Sequence, residues 1–285
     1  MLTSWKTILA FTDETDAGEK ITDHAADLAQ RCGAHLVGVY GITGHPGEFP
    51  ADAFARGKAA LGAVIARRHV AETDLAAAAG RRFAAATRKR GINSGEFRVI
   101  WSGRGAEDAF VNSLRCDLMI VGHPHAAGLP RSWSAERLAI ASGVPALLIP
   151  ESWPAERAIG QNILIGWNAS REARRAMVDA MPFLSLATSV TVVVVDAART
   201  PDLFGAEPGA DISLVLCRHN IPVQLRQVTS GGGSVAEAIL ASATEAGCDL
   251  IAIGAYSHAR TAELIFGGVT RELLARTSVP ILLSH

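Results

Sequence analysis

The residues best suited to chemistry lie between Gly254 and Leu274, in the stretch GAYSHARTAELIFGGVTRELL. An apolar run ends at Gly254, a polar segment follows, and Gly267-Gly268-Val269-Thr270 opens a helix. Paired glycines at a helix start let backbone N–H groups approach an anion closely, and the helix dipole favours negative charge there. Thr270 adds a hydroxyl, and Ser257, His258 and Arg260 stand in the segment between. A phosphate held in this way gains charge-assisted hydrogen bonds of about 1.5–3 kcal/mol each. On residues alone, a tight helix entry accounts for the two glycines equally well.

Other groups point away from catalysis. Gly122-His123-Pro124-His125 brings two imidazoles to a strand end, but no further metal ligands stand at a suitable spacing, so these read as loop histidines. Ser230-Gly231-Gly232-Gly233-Ser234 has no Lys in P-loop register and reads as a helix entry with Ser234 as N-cap. Asp13, Asp16 and Asp196 end strands or begin helices with no nucleophile beside them. The run from Arg81 to Arg90 has Phe83 as its sole aromatic and reads as the wet face of a helix. Trp101, Trp133 and Trp153 read as packing residues. No poised nucleophile, base or metal cluster can be named, so the sequence argues against an enzyme.

Composition narrows the classes further. The chain has 285 residues, enough for two domains, and 49 % of them are hydrophobic, enough for sizeable cores. A net charge of −1 argues against bulk attraction to nucleic acid or anionic lipid. The most apolar stretch, 184–195, is far short of the roughly 18 residues a membrane span needs. The N-terminus lacks the apolar core of a signal peptide, and Cys32, Cys116, Cys217 and Cys248 are scattered, as expected of free thiols in a reducing cytoplasm.

The elements that would position the loop come in two matched sets. CDLMIVGHPH followed by SGVPALLIP closes the first half, and CDLIAIGAYSH followed by TSVPILLSH closes the second. TILAFTDETDAGEK and NILIGWNASREAR open the two halves. The spacing predicts strands at 8–12, 36–40, 96–100, 118–122 and 146–149, then at 163–167, 190–195, 223–228, 250–254 and 281–283. Several are continuous apolar runs, as in strands buried on both faces, and helical stripes such as Ile21, Ala25, Leu28 and Cys32 separate them. This alternation predicts a doubly wound parallel sheet in each half. The domains fall at 1–150 and 160–285, with a short linker between. An inserted segment at 49–90 reads as one broken helix or two.

These motifs resemble the universal stress protein family. GAYSHARTAELIFGGVT is similar to its G-x2-G-x9-G-[ST] nucleotide loop, with Ser257 in place of the second glycine and Gly268 where the hydroxyl residue stands. The resemblance covers both halves and implies an α/β fold of two tandem five-stranded sheets in the order 3-2-1-4-5, of the adenine nucleotide alpha hydrolase-like type. It implies ATP or AMP as ligand, with no metal beyond magnesium accompanying the nucleotide. The residues it assigns to the nucleotide are Trp167, Asn168, Ala169, Val194, Gly254, Ser257, His258, Gly267, Gly268, Val269 and Thr270. Asn168 takes the place of a family Asp near the ribose.

In the first half the corresponding loop, GHPHAAGLPRSWSAERLA, lacks paired glycines, so that half is expected not to bind. The resemblance also implies an intramolecular pseudo-dimer through the last strands, with a further homodimer open. Three functions follow: a cytoplasmic stress-response protein binding adenine nucleotide in its second half, one acting through protein contacts alone, or a slow ATPase. The third has the least support from the residues.

Overall fold

The computed structural model describes residues 4–42, 58–93, 95–100, 105–130, 133–199, 206–255 and 268–285. The strands and helices follow the sequence pattern closely. They are β1 (Thr7–Phe11), α1 (Asp16–Cys32), β2 (His35–Gly41), α2 (Lys58–Lys89), β3 (Glu96–Ile100), α3 (Gly105–Ser113), β4 (Leu118–His123), α4 (Ala135–Ser142) and β5 (Ala146–Pro150). The second set is β6 (Asn162–Gly166), α5 (Arg171–Asp179), α6 (Met181–Leu184), β7 (Ser189–Val195), α7 (Ala210–Arg218), β8 (Val223–Val228), α8 (Val235–Glu245), β9 (Leu250–Gly254), α9 (Gly268–Arg276) and β10 (Ile281–Ser284). Within the inserted segment, Lys58–Lys89 form one continuous helix of 32 residues, α2, and not a broken pair, while residues 49–57 lie outside the described residues. Its Ala-rich composition favours an uninterrupted helix.

Packing divides the chain into two compact units. One holds Lys6–Gly122 and Ala126–Leu138; the other holds Met1–Trp5, His123–His125 and Ala139–His285. In the first unit β3, β2, β1 and β4 lie side by side, all parallel. Ile8, Leu9, Ala10 and Phe11 of β1 are buried, as are Leu118 to Val121 of β4. Each such Ile, Leu, Phe or Val side chain contributes about 1.5–3 kcal/mol of transfer free energy. Helix α1 starts at Thr15, whose hydroxyl accepts the Gly18 N–H, and stops at Gly33 in the left-handed region, φ 62°. Its acidic face meets α2: Arg82 pairs with Asp16 and Glu19, and Arg90 with Asp27. Part of the basic run expected to face water is therefore engaged within the unit.

In the second unit the hydrogen-bonded order is β5-β10-β9-β6-β7-β8. All neighbours are parallel except β5 and β10, which are antiparallel with Ile281 opposite Leu148 and Leu283 opposite Ala146. This contact covers the short apolar edge of β10, which would otherwise invite pairing with a foreign strand. The linker is ordered: Trp153 is buried, with the Arg157 guanidinium 4.2 Å from its ring centroid.

The repeated Cys-Asp-Leu has a structural cause. Asp117 Oδ2 accepts the N–H of Lys6 at 2.8 Å and of Thr7 at 2.9 Å, at the start of β1. Asp249 accepts the N–H of Gly160, Gln161 and Asn162 at the start of β6, with distances of 2.7–3.1 Å. Each carboxylate thus satisfies backbone donors that a strand entry leaves open. Burial pushes the Asp249 carboxyl up and these N–H groups pull it back, burial prevailing. Burial also pushes the neighbouring thiols up, Cys116 to about 12 and Cys248 to about 11. At these values they are inert thiols at neutral pH.

Candidate functional site

Sheet order in the second half reverses between β6 and β9, which pair directly while their chains continue to opposite sides. A crevice at the carboxyl ends of such strands is the usual ligand position in a doubly wound sheet. Trp167 extends β6 by one bond, its N–H reaching Val193 O at 2.9 Å. The chain then turns sharply. Asn168 Oδ1 accepts the Ser170 N–H at 3.2 Å, Ala169 adopts φ 55°, and Ser170 caps α5 by accepting the Ala173 N–H at 3.1 Å. An Asx turn followed by a serine cap leaves Asn168 exposed at the crevice.

Strand β9 ends at Gly254, and here the glycine is demanded by packing. A Cβ would stand 2.3 Å from the Glu172 carbonyl carbon and 2.5 Å from the Ala173 nitrogen. The end of β9 therefore rests on the first turn of α5, beside the Asn168–Ser170 turn. Glu172 is itself buried and pairs with the exposed Arg171 at 3.0 Å.

Helix α9 begins at Gly268, followed by the exposed Val269 and the buried Thr270. Gly268 has no left-handed φ, and among the described residues nothing lies within 4 Å of the Cβ it lacks. Among the described residues, neither backbone conformation nor packing accounts for this glycine, in contrast to Gly254, Gly41 or Gly128. The helix is tied to its neighbour one turn further on. Glu272 Oε1 accepts the Ser234 hydroxyl at 2.8 Å and an N–H of Arg276 at 3.0 Å, while Ser234 caps α8 in a full capping box with Glu237. Ser234 is thus the N-cap expected from the sequence.

The remaining assigned residues fall in different surroundings. Val194 is fully buried in β7 and packs on Gly209, where a Cβ would meet its Cγ2 at 2.9 Å. Ser257, His258 and Gly267, with Arg260, lie outside the described residues. At the end of β7, Asp196 takes φ 54° and accepts both the N–H and the hydroxyl of Ser230, at 2.8 and 2.7 Å. Those bonds, with Arg199 at 3.3 Å, hold its carboxyl below the usual range. Among the described residues no group of three or more His, Cys, Asp or Glu is placed to hold a metal ion.

The equivalent crevice in the first half is built differently. Asp13 Oδ1 accepts the Thr15 N–H at 3.0 Å in the same Asx geometry. However, the segment at 126–130 lies across the strand ends. Gly128, at φ 70°, presses on Thr12 so closely that a Cβ would come within 2.0 Å of the Thr12 oxygen, and its own carbonyl accepts the Gly41 N–H at 2.8 Å. Leu129 and Pro130 are buried behind it. Tyr40 records the local charge: burial first, then Glu14, Asp13 and Glu72, push its phenol well above its ordinary value. Trp133, farther along the loop, stacks on Phe110 with ring centroids 6.3 Å apart, the packing role expected of it.

Each half is thus one copy of an α/β plan with a strand-end turn and a strand-start carboxylate clasp. The profile of the universal stress protein family matches residues 4–150 and again 161–285. The chain belongs to the universal stress protein family. A universal stress protein from Archaeoglobus fulgidus DSM 4304 shares the fold, with a TM-score of 0.63 at 15 % identity over 97 % of both chains. A functionally unknown protein from Pseudomonas aeruginosa PAO1 gives 0.60 at 14 % identity, over 99 % of this chain and 93 % of that one. Among curated proteins, none matches this sequence.

Within the family framework, three features of the site escape the motif. The blocking segment around Gly128 has no sequence signal beyond the missing paired glycines. The Asp196–Ser230 clamp joins residues 34 apart. Arg171 could have been noticed: aligning TDETD with WNASR places it opposite Asp16.

Proposed function

We propose that the second half of this universal stress protein binds an adenine nucleotide, ATP or AMP, with a phosphate at the first turn of α9. The observation that carries this reading is Gly268, in the first described turn of α9, where an added Cβ would meet nothing among the described residues. Such a glycine leaves room for a ligand to approach the backbone, and the exposed N–H groups of the first turn are ready donors for an anion. Asn168, exposed at the end of the adjoining strand, can both donate to and accept from a ribose hydroxyl. Magnesium would arrive with the nucleotide.

The protein acts by binding and not by chemistry, in the cytoplasm, as a stress-response component. No helix among the described residues is long and apolar enough to cross a membrane. The antiparallel register of β5 and β10 supports reading the last strands as the seam of an intramolecular pseudo-dimer.

Intact-complex mass spectrometry of freshly purified protein tests the reading, followed by calorimetry with ATP and AMP. One nucleotide per chain is expected, with Gly268→Val weakening it at least tenfold as a branched side chain fills the open space. Two equal sites per chain, or no binding, would refute it. A second reading, in which the protein works through protein contacts alone, is what the absence of binding would leave.

A further inference from the structure

Helix α5 breaks an electrostatic rule at its first position. Arg171 is its first residue, directly after the Ser170 cap. A cation there faces the positive end of the helix dipole, an unfavourable arrangement. The first half obeys the rule, with Asp16 at the aligned position of α1. Its side chain is 81 % exposed, and its partner is the adjacent, buried Glu172. Local rules are most often broken at functional sites.

The position of α5 suggests what the cation meets. Its first turn touches Gly254 at the end of β9. It packs against β9 and β10, whereas α8 packs against β7 and α9. Right-handed crossovers place α5 and the α8–α9 pair on opposite faces of the sheet. Arg171 and the first turn of α9 therefore approach the carboxyl ends of β6 and β9 from opposite sides. A single phosphate held at Gly268 meets one of them. A chain of phosphates lying across the strand ends can meet both.

We propose that Arg171 is a specificity-determining residue that binds the outer phosphates of a nucleoside polyphosphate and selects it over the monophosphate. This rests on the nucleotide reading of the site and adds the charge of the ligand to it. A guanidinium carries five N–H donors, so it can keep Glu172 and still offer its planar fork to phosphate oxygens in pairs.

Calorimetry with ATP, AMP and inorganic tripolyphosphate on the full chain provides the test. The wild type should prefer ATP to AMP by about tenfold or more. Arg171→Ala should weaken ATP by about tenfold while leaving AMP within about twofold, and Arg171→Lys should restore part of the preference. Tripolyphosphate binding as tightly as ATP would assign the site to a phosphate chain and overturn the nucleoside part of the proposal. Wild-type binding with the same ATP-to-AMP ratio in Arg171→Ala overturns the role of Arg171 alone. Failure of the wild type to bind any of the three overturns the nucleotide reading and this inference together.

Discussion

The two halves open with the same turn and oppositely charged residues. Thr12-Asp13-Glu14-Thr15-Asp16 and Trp167-Asn168-Ala169-Ser170-Arg171 both bend through an Asx bond and both deliver a hydroxyl cap to the next helix. The first carries three carboxylates where the second carries an amide, a methyl and a guanidinium. Across the strand ends the first half lays residues 126–130, and in the second half a Cβ added at Gly268 would meet nothing among the described residues. One backbone plan thus carries a closed, acidic crevice in one half and, on the proposed reading, an anion site in the other. The turn belongs to the fold, and the two halves differ in the side chains riding on it.

The largest expected effect separates the two crevices by their glycines. Gly128→Ala in the first half places a Cβ 2.0 Å from the Thr12 oxygen at a left-handed φ, and should cost about 3 kcal/mol or more in urea denaturation. Gly268→Ala in the second half projects into open space and should change stability by no more than about 0.5 kcal/mol. Equal losses at the two positions would mean that Gly268 is structural after all.

A smaller contrast lies at the other end of the strands. Asp249 is buried and accepts from three backbone N–H groups, while Asp117 accepts from two near the surface. Asp249→Ala leaves buried donors unpaired and should cost about 2–3 kcal/mol; water can replace Asp117, so Asp117→Ala should cost about 1 kcal/mol. Thermal unfolding of the two variants decides the order, and a reversal would show that the clasp at β1 is the tighter one.

These contrasts also show what could be read beforehand. Strand positions were legible because continuous apolar runs such as Thr191–Val195 admit few alternatives between turn signals. The cap at Ser234 was legible because capping is local. Cys-Asp-Leu was visible as a repeat, but its purpose was not, since the donors it satisfies lie 87 to 111 residues away. The continuity of α2 was ambiguous for a related reason. Its Ala-rich run fits one helix or two, and the ion pairs from Arg82 and Arg90 that fix it against α1 span more than 60 residues. In the site, the glycines were legible as types but not by cause. Only the contacts around Gly254 and Gly268 show that packing requires the first and leaves the second unexplained.

The smallest effect concerns the middle residue of the shared turn. Ala169 sits at φ 55°, whereas Glu14, the aligned residue, is not among the positive-φ positions. Holding an L-residue with a Cβ in the left-handed region costs about 1 kcal/mol, which glycine avoids. Glycine also adds freedom to the unfolded chain, a penalty of about 0.5–1 kcal/mol at any ordinary position. The two terms oppose each other at 169, while at 14 the penalty adds to the loss of the Glu14 carboxylate that accepts from the Tyr40 phenol. Ala169→Gly should therefore be neutral or stabilise by up to about 0.5 kcal/mol, and Glu14→Gly should destabilise by about 0.5–1 kcal/mol. Removing the Glu14 charge from beside Asp13 offsets part of that loss, so Glu14→Gln, which lacks the backbone term, is the proper reference. If Ala169→Gly loses as much as Glu14→Gly does relative to Glu14→Gln, the two turns share one conformation, and the difference between the halves lies in charge alone.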